Sequence, residues 1–181
     1  MRIITGAFKG RHLEMPENKN IRPTTEKVKE AIFSIIAANL EDAVCVDLFA
    51  GTGNLGLEAL SRGAEKCFFG DNSKDSLALI NRDVVMCRAQ EWSVIIPGDF
   101  VKVLKRIYEK GEKIDIFFLD PPYKKDLYEK CFELIREYDL LAEEGIIIAE
   151  HNVCVVLANE LSGFERIKER TYGTVAISIY G

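Results

Sequence analysis

The sequence predicts an α/β fold: a mostly parallel seven-stranded sheet that ends in an antiparallel hairpin, with a small hairpin extension at the N-terminus. Three observations carry the prediction. From residue 43 onward, short and nearly continuous apolar runs alternate with helical patterns, as in parallel strands buried on both faces. The last two runs, 164–171 and 174–180, are separated by Tyr172-Gly173, a turn suited to an antiparallel pair at a sheet edge. Residues 1–23, by contrast, are basic and interrupted by glycines.

Taken in order, Arg2-Ile3-Ile4-Thr5-Gly6 and Phe8-Lys9-Gly10-Arg11-His12-Leu13 read as two short strand-like pieces, hence the hairpin. Arg22-Pro23-Thr24-Thr25-Glu26 then announces a helix, with proline barring helix before it, a threonine cap and an acid in the first turn. Val28, Ala31, Ile32, Ile35 and Ile36 share one face, so this helix runs to Leu40. Strands are expected at 43–49, 66–70, 93–96, 114–119 and 145–150, and helices near 54–62, 74–89, 99–110, 126–138 and 153–161. The 181 residues, 48% of them hydrophobic, suit one compact unit in which residues 1–23 extend a core of residues 24–181.

Composition narrows the function classes. No apolar run reaches the ~18 residues of a membrane span, and residues 1–10 lack the apolar stretch of a secretory signal, so a soluble, cytoplasmic protein is expected. None of the five cysteines forms a C-x-x-C pair, and they read as buried hydrophobes. His12 and His151 have no ligand spacing, which argues against a protein-held metal. The net charge of −5 is unevenly spread: residues 1–30 hold seven Lys/Arg against four Asp/Glu, so the front is the positive part.

Ligands of such sheets sit beyond the carboxyl ends of the strands, so the residues after each strand are the candidates. After the first come Asp47 and a G-x-G-x-x-G turn, Gly51, Gly53 and Gly56, where backbone can approach a ligand at a helix N-terminus. A nicotinamide dinucleotide is one reading of that turn, but Asp47 would repel its pyrophosphate and attract an ammonium, as in S-adenosylmethionine. Asp71, after the second strand, suits ribose hydroxyls or a turn cap. Asp99 suits an adenine amine or the cap of the next helix, with Phe100 beside it to pack on a ring. After the fourth strand, Asp120-Pro121-Pro122-Tyr123 forms a rigid loop without donors, suited to an NH2 group with two hydrogens to give, and Tyr123 offers a face for a base. A stiff structural turn is the plainer alternative. Pyrimidine C5 methylation is excluded, because it needs a cysteine nucleophile and no proline here is followed by Cys.

These segments, Asp47 to Gly56 and then Asp120-Pro121-Pro122-Tyr123, resemble the class I S-adenosylmethionine-dependent methyltransferases that methylate exocyclic amines. Met1-Arg2-Ile3-Ile4 with Gly6, Lys9-Gly10-Arg11, Arg22-Pro23-Thr24-Thr25 with Glu30-Ala31-Ile32-Phe33, Glu150-His151, and Tyr172-Gly173 with Ser178 resemble the small bacterial family that methylates guanine N2 in 16S ribosomal RNA. The likeness spans essentially the whole chain in order.

The resemblance implies a Rossmann-like class I methyltransferase fold with S-adenosylmethionine as cofactor. It implies that Asp47, Gly51 and Gly53 border the methionine part of the cofactor, Asp71 the ribose and Asp99 the adenine amine, with Phe49 and Phe100 counted among the cofactor residues. Asp120, Pro121, Pro122 and Tyr123 would hold the target base. The implied substrate is the N2 amine of a guanine, at position 966, in 16S rRNA of a partly or fully assembled small ribosomal subunit. Lys9, Arg11, Arg22 and Lys124 are the expected phosphate contacts, drawn from a wider set of front cations that includes Arg2, Lys19, Lys27 and Lys29. A DNA adenine-N6 methyltransferase would share every catalytic residue; a glutamine-directed enzyme, a nicotinamide oxidoreductase and a silent RNA-binding module are remoter alternatives. His151 suits either a base contact or a buried, satisfied position beside Glu150.

Overall fold

The computed structural model describes residues 1–15, 25–122 and 125–181, with the backbone alone for Lys125. Among these, the elements follow in the order α1 (Glu26–Ile35), β1 (Val44–Asp47), α2 (Asn54–Ser61), β2 (Lys66–Asp71), α3 (Lys74–Cys87), β3 (Ser93–Pro97), α4 (Phe100–Glu109), β4 (Ile114–Leu119), α5 (Lys125–Glu137), β5 (Leu141–Asn152), β6 (Glu160–Leu161), β7 (Phe164–Tyr172) and β8 (Val175–Tyr180). The strands form one sheet in the order β3-β2-β1-β4-β5-β8-β7-β6. β1 to β5 run parallel, and β8 is antiparallel to both β5 and β7. The Rossmann-like sheet is thus present, with the two-residue β6 added at the edge of β7. No helix of the described residues is long and apolar enough to cross a membrane.

Period-two alternation divides the strands between two apolar layers. Cys45, Phe69, Phe118 and Ile148 face α1, α2 and α3, while Val46, Phe68, Phe117 and Ile147 face α4 and α5. Residues on both faces are buried, which is why the strands read as continuous apolar runs. From β1 the order steps to β2 and β3 on one side and to β4 and β5 on the other. The carboxyl ends of β1 and β4 therefore flank the switch point, where an open α/β sheet leaves a crevice.

The structure departs from expectation in three places. α1 is capped as predicted, the Thr25 hydroxyl accepting from the Val28 N–H at 3.3 Å. Its buried face is Val28, Lys29, Ile32 and Phe33, however, and the helix stops at Ile35. The N-terminal hairpin is reduced to a single antiparallel bridge between Arg2 and His12. Its backbone is drawn to α2 instead: Ile4 and Thr5 donate to the Glu58 carboxylate at 2.9 and 3.0 Å, and Ala7 donates to the Ser61 carbonyl at 2.7 Å. Where a helix was expected at 153–161 there is a turn, held by Cys154 N–H on Asn152 Oδ1 and Val155 N–H on the Asn152 carbonyl, leading into β6.

Lys29 corrects the sequence reading outright. Counted there among the front cations available to phosphates, it is fully buried, donating to Glu58 Oε2 at 2.9 Å, Asn54 Oδ1 at 2.7 Å and the Arg2 carbonyl at 2.7 Å. Glu58 completes the cluster by accepting from Arg62 at 2.8 Å. Four of the five cysteines are buried as expected, and burial pushes their thiols up, that of Cys87 to about 11 and that of Cys131 to about 12. Raised thiols of this kind are poor nucleophiles.

Candidate active site

The turn after β1 is shaped by glycine. Gly51 and Gly53 have φ of +54° and +72°, a left-handed backbone that side chains with a Cβ rarely adopt. Gly53 brings no side-chain cap to α2; Asp47 reaches up from β1 and accepts from the Gly56 N–H at 2.9 Å. The helix can come this close because position 56 lacks a Cβ, which would lie 2.3 Å from Phe69 Cε1 and 2.7 Å from Cys67 Sγ. Asp47 is 4% exposed. Burial first, and the Asp71 carboxylate second, push its carboxyl up to about 7 against the stabilising Gly56 N–H.

Asp71, closing β2, clasps the same turn. One carboxylate oxygen accepts from the Gly51 N–H and the other from the Ser73 N–H, both at 2.8 Å. It does not cap α3, whose cap is Ser73 accepting from Ser76 N–H. Asp99 does cap α4, accepting from the Lys102 N–H at 2.9 Å. Each oxygen keeps a further lone pair, so neither arrangement prevents a ligand contact. Phe49 and Phe100 approach with ring centroids 6.0 Å apart and form an apolar wall.

Across the switch point stands Asp120-Pro121-Pro122, directly after β4. The β4–β5 register pairs Leu119 with Ala149, which sets Glu150 next to Asp120. Burial, then the Glu150 and Asp47 carboxylates, hold the Asp120 carboxyl well above its usual range. Asp47, Phe49, Gly51, Asp71, Asp99, Phe100, Asp120, Pro121 and Pro122 together line a cleft of about 630 Å³, within the usual range of small-molecule sites. Gly53 shapes the turn without lining it. Tyr123, Lys124 and Arg22 lie outside the described residues.

The cleft wall carries four carboxylates and, among the described residues, no Lys or Arg. Such a site favours a cation and disfavours a pyrophosphate, which argues against the dinucleotide reading of the glycine turn. Lys9 is exposed and Arg11 half-buried, its guanidinium donating to the Met86 carbonyl; neither lines the cleft. His151 is buried, with Nε2 at 2.9 Å from the Ser178 hydroxyl and Nδ1 at 3.1 Å from the Asn152 carbonyl, so the satisfied position is the correct one of its two readings.

Sequence reasoning missed Thr52, Asn54, Asn72, Ser73, Ser76 and Leu127, which also line the cleft. Asn54 and Ser76 sit in the first turns of the helices that follow β1 and β2, and that placement was the available signal.

Comparison with known proteins adds an independent line. A family model described as "Conserved hypothetical protein 95" matches residues 1–181. YlbH of Bacillus subtilis is 36% identical over 180 residues, covering 99% of this chain and 98% of its own. Ribosomal RNA small subunit methyltransferase D of Escherichia coli is 32% identical over 180 residues, covering 99% and 89%. The solved structure of yhhF from Escherichia coli superposes with a TM-score of 0.86 at 29% identity, covering 99% of this chain and 96% of that one.

Proposed function

This chain belongs to the family described as conserved hypothetical protein 95, and we propose that it is an S-adenosylmethionine-dependent methyltransferase acting on the exocyclic N2 amine of a guanine in 16S rRNA, at position 966. The observation that carries the reading is the acidic cleft at the switch point, with Asp47 on one side and the oxygen-bearing Asp120-Pro121 corner on the other. The relative named as a small-subunit rRNA methyltransferase, matched along nearly the whole chain, supports rRNA as the substrate class.

The residues fit the cofactor. Bound S-adenosylmethionine supplies a methyl group already activated on a sulfonium. Asp47 takes the cationic amino end, Asp71 keeps lone pairs for ribose hydroxyls, Asp99 accepts from the adenine amine, and Phe49 and Phe100 enclose the ring. Asp120 and the Pro121 carbonyl accept the two hydrogens of the target amine and hold it toward the methyl, which aligns the reaction and disperses the positive charge growing on nitrogen. A carboxyl held above its usual range is also a better proton acceptor, so Asp120 suits the proton released after transfer. A base must leave its stack to reach such a corner, and Tyr123 offers it a replacement surface. Lys9, Arg11, Arg22 and Lys124 meet phosphates, while the acidic body faces basic proteins of a partly or fully assembled small subunit.

The test is incubation with methyl-labelled cofactor and, separately, naked 16S rRNA, small subunits and DNA, followed by mapping of the labelled nucleoside. N2-methylguanine in rRNA is expected. Methyladenine in DNA would replace the substrate assignment with the adenine-directed reading.

A further inference from the structure

We infer that Asn54 is a cofactor-binding residue whose side-chain amide, oriented by the buried Lys29–Glu58 pair, receives the carboxylate of the cofactor's amino-acid end. The inference rests on the cofactor assigned above and names a contact that neither the glycine turn nor Asp47 provides.

The orientation follows from counting protons. A lysine ammonium has three hydrogens and no lone pair. All three from Lys29 are committed, to Glu58 Oε2, the Arg2 carbonyl and Asn54. Since Lys29 can only donate, the Asn54 atom 2.7 Å from it is the oxygen, which turns the amide nitrogen to the opposite side. That nitrogen is buried and has no acceptor among the described residues, although Asn54 itself is 6% exposed and lines the cleft. Buried amide donors are nearly always paired in folded proteins, and an unpaired one at a cleft wall marks where a partner belongs.

The partner's chemistry is set by the surroundings. Asn54 opens α2, whose N-terminal end carries partial positive charge, and a buried ammonium stands behind its amide. The helix end favours an anion at this point of an otherwise acidic cleft, and the ammonium, whose charge Glu58 balances, polarises the amide toward donation. Asp47 lies under the same turn, bonded to the Gly56 N–H two residues further on. An acidic and an anion-accepting position this close match an α-amino acid, whose ammonium and carboxylate share one carbon. Asp47 takes the first and Asn54 the second.

The probes are S-adenosylmethionine and its decarboxylated form, which keeps the adenosine, sulfonium and amine and lacks only the carboxylate. Titration calorimetry on the wild-type protein is expected to show S-adenosylmethionine bound at least about tenfold more tightly, as one charge-assisted hydrogen bond allows. Asn54→Asp keeps the shape and the acceptor for Lys29 but replaces the donor, and it abolishes that preference by weakening the carboxylate-bearing ligand alone. Asn54→Ala removes the donor without adding a charge and gives the same result, and melting temperatures establish that each variant folds. A wild-type preference that survives in a folded variant, or equal losses for both ligands, overturns the role of Asn54. If wild type binds neither probe, nor 5′-methylthioadenosine, the cofactor assignment falls with it.

Discussion

The Asp71 carboxylate receives the Gly51 N–H at 2.8 Å, so the end of β2 holds the turn that follows β1 in its left-handed course. Substituting Asp71→Ala strands this N–H and that of Ser73, and each half-buried donor left unpaired costs about 1–3 kcal/mol. Urea denaturation should show a loss of that order. Binding of S-adenosylhomocysteine should weaken at least about tenfold, because the turn and the proposed ribose contact would fail together. Unchanged affinity would remove Asp71 from the cofactor site.

Asp47 makes the cleft sensitive to pH. Its folded-state carboxyl titrates at about 7, against about 3.9 in an unfolded chain, so between these values the folded protein holds a proton that the unfolded chain has released. The stability contributed by neutral Asp47 is complete below about pH 3.9 and is lost as pH rises through 7. Ligand binding runs the other way, since a cation selects the carboxylate: affinity for S-adenosylhomocysteine should rise as pH climbs toward and past 7. Calorimetry from about pH 5.5 to about 8.5 reads the profile, and Asp47→Asn should flatten it.

In the proposed role, Asp120 bears on turnover more than on cofactor affinity. Asp120→Asn replaces an anionic acceptor with a neutral amide and should lower methyl transfer by about 10²–10³-fold, the cost typical of removing one transition-state contact. Binding of S-adenosylhomocysteine, measured in parallel, should change by less than about threefold. Retained turnover would dismiss the Asp120-Pro121 corner as the place where the target amine is held.

The Lys29–Glu58 pair fastens the front of the chain to the body. Lys29→Met leaves Glu58 charged and buried with only Arg62 and two backbone N–H groups, and breaking such a pair typically costs about 3–5 kcal/mol. Glu58→Gln should in addition speed amide hydrogen exchange at Ile4 and Thr5, whose N–H groups it accepts. Exchange there that matches wild type would show that other contacts hold the segment.

Among the described front residues, Arg2 pairs with Glu26 and Lys29 is buried, while Lys9 and Lys27 are exposed and in no ion pair. Lys9→Ala should therefore weaken binding to small subunits and reduce the slope of log affinity against log salt by about 0.7–0.9 if it neutralises one phosphate. An unchanged slope would take Lys9 off the RNA-facing surface.

The sequence revealed the cleft well because a parallel sheet converts position along the chain into position in space. Asp47, Asp71, Asp99 and Asp120 are dozens of residues apart, yet each stands at or just after the carboxyl end of a strand, and all four line one cleft. Lys29 was read wrongly because its counterion is 29 positions away on another helix, and a charged residue defaults to solvent in any local reading. Its spacing to Ile32, Phe33 and Ile36 nevertheless put it on the apolar stripe. The helix expected at 153–161 had apolar residues and, in Asn152, a side chain able to cap it, but Asn152 closes an isolated turn with the Cys154 and Val155 N–H groups and the chain leads on into β6. Asn54 was invisible because its meaning depends on which way an amide is flipped, and that is decided by Lys29.

The missing Cβ at position 56 has a reach beyond packing. A single methyl there would have to part from Phe69 and Cys67 before ordinary contact distances were restored, lifting the first turn of its helix and taking the Asp47 partner with it. The interior layer and the acid's proton affinity are thus geared together. Drift among the aromatic residues beneath the helix would register first as a change in which ligands the protein retains, well before it registered as unfolding.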